Sequence, residues 1–518
     1  MIRLTARNLS HNVIIILINY LFGDHIHFQL ISKANEFIYN LKEIFPSRRE
    51  VMMSFSKSML ALAVMAISFS SYATKQADLM IVDGTVLTMD QQNKIIEQGT
   101  VVVKENKIIA VGGPELSKEY QANKVLDVDG DIVMPGLINT HTHGSMTVFR
   151  SLADDVPDRL HRYIFPLESK MVSREMVRVG ADLANIEMVK GGVTTYVDMY
   201  YFEDEVAKTV DKMGNRAVLG ESVINFPVAD AKTPEEGIQY AVNFIKEYKD
   251  HPRITPAFAP HAPYTNTTEN LQKIAKLSIE LDVPVMIHLA ETDREKEEIA
   301  KRTGGKSPVQ YMADIGALNN KVIAAHAIMV DDKDIDLLKK YDVGVAHNIS
   351  ANTKSAKGVA PVVAMLEKGV RVGLGTDGPM SSNTLTTMNE LNLVGKIHKL
   401  ENKDRAAMPP LTVVELATMG SAKVLHMEDK LGSLESGKLA DIIVVDTKSP
   451  NMVPMYSPYA ALVYGANGSN VRHTIVDGKI LMEDRQLLTV DEKAIIKEAQ
   501  DFSDKVRKTV IDSGEVVK

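Results

Sequence analysis

The stretch Val133-Met134-Pro135-Gly136-Leu137-Ile138-Asn139-Thr140-His141-Thr142-His143-Gly144 decides how the rest of the chain is read. On a strand, successive side chains alternate between faces, so His141 and His143 project together while Thr140 and Thr142 turn away. Two neutral imidazoles converging from a stiff strand end are the beginning of a divalent-metal site. The ordinary alternative for an isolated His-x-His is two polar residues on an exposed strand face, so the partners matter.

Those partners lie downstream, each closing its own short apolar run. Val283-Pro-Val-Met-Ile-His288 ends in a histidine with Glu291 three residues on, Lys321-Val-Ile-Ala-Ala-His326 repeats the pattern, and Arg371-Val-Gly-Leu-Gly-Thr-Asp377 ends in an aspartate. A buried strand is a poor place for an imidazole or a carboxylate unless something there offsets its desolvation. Four such run ends point to one shared site.

The 518 residues are 45% hydrophobic and 24% charged, the range of a soluble globular chain with ample material for a core. A net charge of -8 without a long basic run argues against nucleic acid and anionic membrane as partners, leaving small molecules open. There is no cysteine, which removes disulfides, thiolate metal sites and cysteine nucleophiles. It also removes the deaminases that hold zinc on a P-C-x-x-C signature, so any zinc must sit on histidine and carboxylate.

Residues 53–73 read as a secretory signal: Lys57 supplies the charge, Leu60 to Phe69 a short apolar core, and Ser71-Tyr72-Ala73 a cleavage pattern. That core is too short to span a bilayer. A used signal predicts a periplasmic or secreted chain with no membrane contact after processing, starting at Thr74; an unused one predicts a cytoplasmic chain. Residues 1–52 are read as a non-native upstream extension, with translation starting at Met52 or Met53.

Residues 74–130 show short strands and turn signals, such as Leu79-Met-Ile-Val followed by Asp83-Gly84 and Thr85-Val-Leu-Thr-Met, which read as hairpins. The texture returns over 429–490, so both chain ends are expected to build one small β-sandwich domain, with a C-terminal helix over 491–518. His473, on an alternating strand there, is read as structural. Over 131–428 strands alternate with helical stretches, with strand candidates at Val133–Thr140, Thr194–Met199, Arg216–Val223, Ile254–Ala259, Val283–His288, Lys321–His326, Gly344–His347 and Arg371–Thr376. The fold class is therefore α/β, a (β/α)8 TIM barrel whose site lies at the carboxyl ends of its strands.

Two nucleotide motifs are discounted. Gly373-Leu-Gly375-Thr-Asp377-Gly378 satisfies G-x-G-x-x-G but puts Asp377 where a pyrophosphate would approach, and Gly305-Lys-Ser307 has Ala300 where a P-loop needs glycine.

In order, Pro135-Gly136-x-x-Asn139-Thr-His141-Thr-His143, His288-x-x-Glu291, Ala325-His326 and Gly375-Thr-Asp377-Gly378 resemble the amidohydrolase superfamily. The closer resemblance is to its 5-methylthioadenosine/S-adenosylhomocysteine deaminase and chlorohydrolase branch, with further matches at Gly192-Val-Thr-Thr-Tyr-Val-Asp198 and Ala259-Pro-His261. The resemblance implies one Zn²⁺ per subunit on His141, His143, His288 and Asp377. Glu291 would be the general acid/base, with His326 and Asp377 assisting the attacking water, and Glu168, His261 and Ser381 would contact substrate. Without the resemblance, Glu168 reads as a solvated helix carboxylate and Ser381 as turn chemistry.

The activity implied is hydrolytic deamination of an amino-substituted heterocycle (purine nucleoside-like, pterin or related), with a metal-bound hydroxide attacking a ring carbon and ammonia released. A chlorohydrolase or other hydrolase of a triazine-like or related C–N substrate is the alternative on the same fold, and a non-catalytic exported binding protein the alternative outside it. A homo-oligomer is left open. Binuclear relatives bridge two metals with a lysine on the third or fourth strand, which this chain lacks. Relatives accepting S-adenosylhomocysteine place an arginine where this chain has Glu221, so a homocysteine carboxylate is expected to be repelled. Other departures are Ile349, Ala351 and the absence of tryptophan.

Overall fold

The computed structural model describes residues 74–156 and 159–513. The upstream extension and the signal at 53–73 lie outside the described residues. The chain first forms β1 (Lys75–Leu87), β2 (Ile95–Lys104), β3 (Lys107–Gly112), β4 (Tyr120–Asp127) and β5 (Ile132–Pro135). Asp83-Gly84, expected to turn a hairpin, instead makes a bulge within one long strand: the pairing of β1 with β2 shifts register between Ile81 and Gly84. Asp83 takes a positive φ of 56°, and a Cβ on Gly84 would lie 2.5 Å from Val133 Cγ2. The Asp-Gly pair therefore bends the strand against β5.

Eight parallel strands follow: β6 (Leu137–Thr142), β7 (Val193–Tyr200), β8 (Arg216–Val223), β9 (Ile254–Pro260), β10 (Val285–Leu289), β11 (Val322–His326), β12 (Gly344–His347) and β13 (Arg371–Leu374). Helices lie between them, several capped by the residue type their start requires: Ser173, Thr233 and Thr267 each accept a backbone N–H of the first turn. The ring is drawn nearly closed just past β13, where Thr376 N and Asp377 N donate to His141 O at 3.2 and 3.0 Å. The protein is thus a (β/α)8 barrel with a separate sheet at one side.

The single strand expected over Val133–Thr140 is two. β5 pairs antiparallel with β14 (Ile442–Val445), whereas β6 joins the barrel beside β7. The break is Gly136, whose N–H donates to Asp441 O at 2.9 Å and where a Cβ would come within 2.1 Å of Thr194 Oγ1. Only glycine lets the chain pass from one sheet to the other here. The remaining strands, β15 (Val471–Val476), β16 (Lys479–Glu483) and β17 (Gln486–Leu487), extend that sheet in the order β17-β16-β15-β14-β5-β1-β2-β3, with β4 paired to β1. Leu79, Ile81, Val103, Val133, Ile442 and Ile475 pack in its own buried core.

The C-terminal helix, Glu492–Asp512, buries Phe502, Val506 and Val510 and is tied to helix Arg174–Lys190 by Arg178–Glu498 and Lys190–Glu492 ion pairs. Among the described residues no helix is long and apolar enough to cross a membrane.

Arg216, at the start of β8, fastens barrel to sheet. Its Nε and Nη2 donate to Asp441 at 2.9 and 3.2 Å, and Nη2 also reaches Asp477 at 3.2 Å, with Arg216 and Asp441 both about 95% buried or more at the side chain. Removing one member of a buried pair strands the other charge. Arg216→Met is expected to destabilise by about 3–5 kcal/mol, and adding Asp441→Leu to restore part of that; denaturant titration of the variants measures both.

Candidate metal centre and its cavity

His141 is the penultimate residue of β6 and His143 follows the strand directly, so the alternation of the strand carries both rings to the barrel mouth. His288 comes from β10, and Asp377 from the turn after β13. One donor atom from each of His141, His143, His288 and Asp377 lies within 4.8 Å of all the others. The structure therefore gathers the four expected ligands.

Their hydrogen bonds assign the tautomers. His143 Nδ1 lies 2.7 Å from Met199 O and His288 Nδ1 lies 2.7 Å from His261 O. A carbonyl can only accept, so both Nδ1 atoms carry a proton, and in the neutral rings that a metal needs both Nε2 atoms carry a lone pair. Those two Nε2 atoms face each other at 3.2 Å. His141 Nε2, also buried, has no hydrogen-bond partner among the described residues, and Asp377 Oδ1 stands 3.3 and 3.6 Å from the Nε2 atoms of His143 and His141. Facing lone pairs beside a carboxylate repel unless a cation lies among them, and three neutral imidazoles with one carboxylate suit a borderline divalent ion. The donor set fits a metal.

The electrostatics of the bare cluster agree. Burial works to lower His143, but Asp377 outweighs it and lifts the ring to about 9, while burial drives His141 down to about 4. Without an ion the site can balance Asp377 only by placing a proton on one imidazole.

Glu291 lies just past β10, and its backbone N–H and that of Ala290 donate to the buried Glu295 carboxyl at 2.8 and 3.1 Å. His326, at the end of β11 with φ of 76°, meets Asn352 Oδ1 at 2.8 Å and Asn348 Nδ2 at 3.3 Å through Nδ1, and points into the site a buried Nε2 that has no hydrogen-bond partner among the described residues and lies 3.7 Å from Glu291 Oε1. Lys357 Nζ donates to the same Oε1 at 2.5 Å. Burial tends to raise the Glu291 carboxyl, yet His326 and Lys357 together hold it down to about 2.

A model of the amidohydrolase family matches residues 132–481. The chain belongs to the amidohydrolase family. This amidohydrolase is 42% identical over 421 residues to a 5-methylthioadenosine/S-adenosylhomocysteine deaminase of Syntrophobacter fumaroxidans, covering 81% of this chain and 96% of that one. It is 39% identical over 428 residues to a 5'-deoxyadenosine deaminase of Methanosarcina mazei, covering 82% and 97%. Among solved structures it resembles an adenosine deaminase from Xanthomonas campestris with bound zinc, at a TM-score of 0.82, 31% identity, and coverage of 84% of this chain and 100% of that one.

A cavity of about 640 Å³ opens over the amidohydrolase cluster, and Glu168, His261, Glu291 and Ser381 all line it. Glu168 sits on helix Phe165–Met171 and is not solvated as an isolated helix carboxylate would be: Tyr200 Oη donates to its Oε1 at 2.8 Å, and burial outweighs that bond to raise it to about 7. His261 follows β9, holds Thr265 Oγ1 at 3.0 Å through Nδ1, and is pushed down to about 4 by burial. Ser381 is placed by its N–H bond to Gly378 O at 2.8 Å.

Glu221 does not face the substituent end of this cavity. On β8 its neighbour Ser222 lines the cavity, so Glu221 turns the other way, fully buried, and accepts the Glu203 N–H at 3.0 Å at the start of helix Glu203–Met213. The expected repulsion of a homocysteine carboxylate by Glu221 therefore has no basis in the geometry.

Sequence reasoning quoted Asp198 in a matching stretch without giving it a role, and passed over Lys357 and Tyr200. Asp198 interrupts the apolar run of β7 and stands one layer back: its Oδ1 accepts from Thr142 Oγ1 at 2.5 Å and Gly144 N at 2.6 Å, holding a hydroxyl before His143 and the backbone after it. Nothing in the pattern around Lys357 marks it. His288→Ala is expected to lose metal retention while keeping the barrel folded, read by metal analysis beside circular dichroism.

Proposed function

We propose that this amidohydrolase is an aminohydrolase using one Zn²⁺ per chain, which exchanges the exocyclic amine of a 6-aminopurine nucleoside for oxygen from water and releases ammonia. The observation that carries this is the pair of imidazole lone pairs facing each other beside Asp377, with a carboxylate, Glu291, three residues beyond one of them. The deaminase relatives, whose names all specify adenine nucleosides, support the substrate class.

His141, His143, His288 and Asp377 would hold the zinc, which lowers the pKa of a bound water from about 15.7 to roughly 7 and so makes a nucleophile available at neutral pH. His326, whose Nδ1 meets Asn352 Oδ1 at 2.8 Å and Asn348 Nδ2 at 3.3 Å, would orient that water through Nε2. Glu291, an anion at rest, would take a proton from that water, deliver it to the ring nitrogen beside the attacked carbon, and then carry the water's second proton to the departing amine. Such transfers contribute typically ~10²–10⁴-fold. Glu168, its Oε1 held by the Tyr200 hydroxyl, offers a carboxylate acceptor to sugar hydroxyls, and His261 supplies a neutral ring over the cavity wall.

The test is an ammonia-release screen of the zinc-loaded protein against adenosine, 5'-deoxyadenosine, 5-methylthioadenosine and S-adenosylhomocysteine. Ammonia from at least one supports the reading; none from any sinks it, and chloride from a chlorinated triazine would favour the chlorohydrolase alternative. Glu291→Gln is expected to keep its zinc and lose about 10²–10⁴-fold in kcat.

Because burial raises Glu168 to about 7, its anionic acceptor form fills in as pH rises through neutrality. KM for a ribose-bearing substrate is expected to fall from pH 6 to pH 8, and Glu168→Gln to flatten that slope.

Export through the signal at 53–73 is likewise our reading, supported by the sequence alone. Expression of the full chain with N-terminal sequencing of the product tests it: a start at Thr74 upholds it, and retention of residues 53–73 overturns it.

A further inference from the structure

We infer that Lys357 is a positioning residue that clamps one oxygen of Glu291 so that the other is presented to the substrate ring. The inference rests on the role proposed above for Glu291, and it concerns a residue that no motif marks.

The geometry is a clamp built by one loop. Helix Ile349–Lys354 ends in a turn in which Lys357 N–H donates to Asn352 O at 3.0 Å, and Gly358 takes a φ of 114°. The side chain of that same Asn352 holds His326 Nδ1 at 2.8 Å. A single residue thus fixes both groups that approach Glu291 Oε1: Lys357 Nζ at 2.5 Å and His326 Nε2 at 3.7 Å. Among the described residues Glu291 Oε2 accepts no hydrogen bond, and Glu291 and Lys357 both line the cavity. A carboxylate free to rotate offers either oxygen in many directions; one held at Oε1 by a charge-assisted bond offers Oε2 in one.

Lys357 contributes no proton to the reaction in this scheme. Its ammonium makes Glu291 a weaker base, so the benefit is orientation, and a small misplacement of a catalytic group costs up to about 10²-fold.

The experiment compares zinc-loaded wild type, Lys357→Met and Lys357→Arg. Lys357→Met keeps the length of the side chain and removes the cation. We expect equal zinc content, kcat on the aminated substrate down by about 10–10²-fold with little change in KM, and recovery in Lys357→Arg. The loss should be smaller on a 6-chloropurine nucleoside, whose chloride leaves without a proton. In a Glu291→Gln background Lys357→Met should add little. Unchanged or increased kcat, or equal losses on the amino and chloro substrates, overturns the inference.

Crystal structures of wild type and Lys357→Met supply an arm that does not depend on the reaction. Glu291 should be single in the first and rotated or split in the second. An identical, single Glu291 in both overturns the clamp even if the wild type releases ammonia. If the wild type releases none, the proposed function fails while this comparison still decides the role of Lys357.

Discussion

Two imidazole nitrogens with their lone pairs turned on each other, 3.2 Å apart, are the constraint around which this molecule is arranged. Neither ring is free to escape by exchanging tautomers, because each Nδ1–H is spent on a backbone carbonyl, Met199 O at the end of β7 and His261 O just past β9. The register of the parallel strands therefore sets which nitrogen of each ring is left for a metal, and a cation held there is what lets both rings stay neutral. This is the outer-shell logic of histidine metal sites, executed here by main chain rather than by carboxylates. Asp198 completes it from behind by holding Thr142 and Gly144, so His143 is fixed through its backbone as well as its ring.

The barrel and its ligands were legible in the amino-acid order for one reason. An apolar run that ends in His or Asp contradicts itself unless the polar end meets a partner, and His141, His288, His326 and Asp377 all break the pattern in that way. The same reasoning could not separate Asp198, which breaks it equally but supports rather than faces the site. Where side chains are read from a turn signal alone, tertiary contacts decide: Asp83-Gly84 is a textual hairpin but a structural bulge, because Val133 needs the space a Cβ would fill. Glu221 shows the limit on a strand, where an alignment of positions says nothing of which face a residue occupies. Its direction follows from Ser222 beside it taking the cavity. Lys357 was invisible because its partner Glu291 is 66 residues away in sequence and neither lies in a periodic element.

The second sheet does more than sit beside the barrel. β5 and β6 are one continuous stretch bent at Gly136, so the strand that carries His141 is anchored at its start by a bond to Asp441 O. Asp441 also binds Arg216 at the start of β8 and the Asp477 N–H. Two barrel strands are thus located from below by one residue of the sheet, which explains why a domain far from the chemistry is built from both ends of the chain and closed by their pairing.

Above the strands the backbone takes conformations that side chains ordinarily avoid. Ala290, His326, Ala327 and Asp377 all have positive φ, at 53°, 76°, 47° and 62°. Each such residue costs about 1–3 kcal/mol and persists only where its surroundings over-determine it. For Asp377 the surroundings can be named: its N–H bonds His141 O, its Oδ1 accepts Gly378 N–H at 2.7 Å, and Gly375 just before it leaves room for Asn348, whose Oδ1 would stand 2.3 Å from a Cβ there. The abrupt turn at the strand end is what brings Asp377 back over the barrel axis toward His143 instead of onward into the next helix. Strain at these positions is therefore part of how a set of parallel strands, which on their own diverge at the mouth, delivers four side chains to one point.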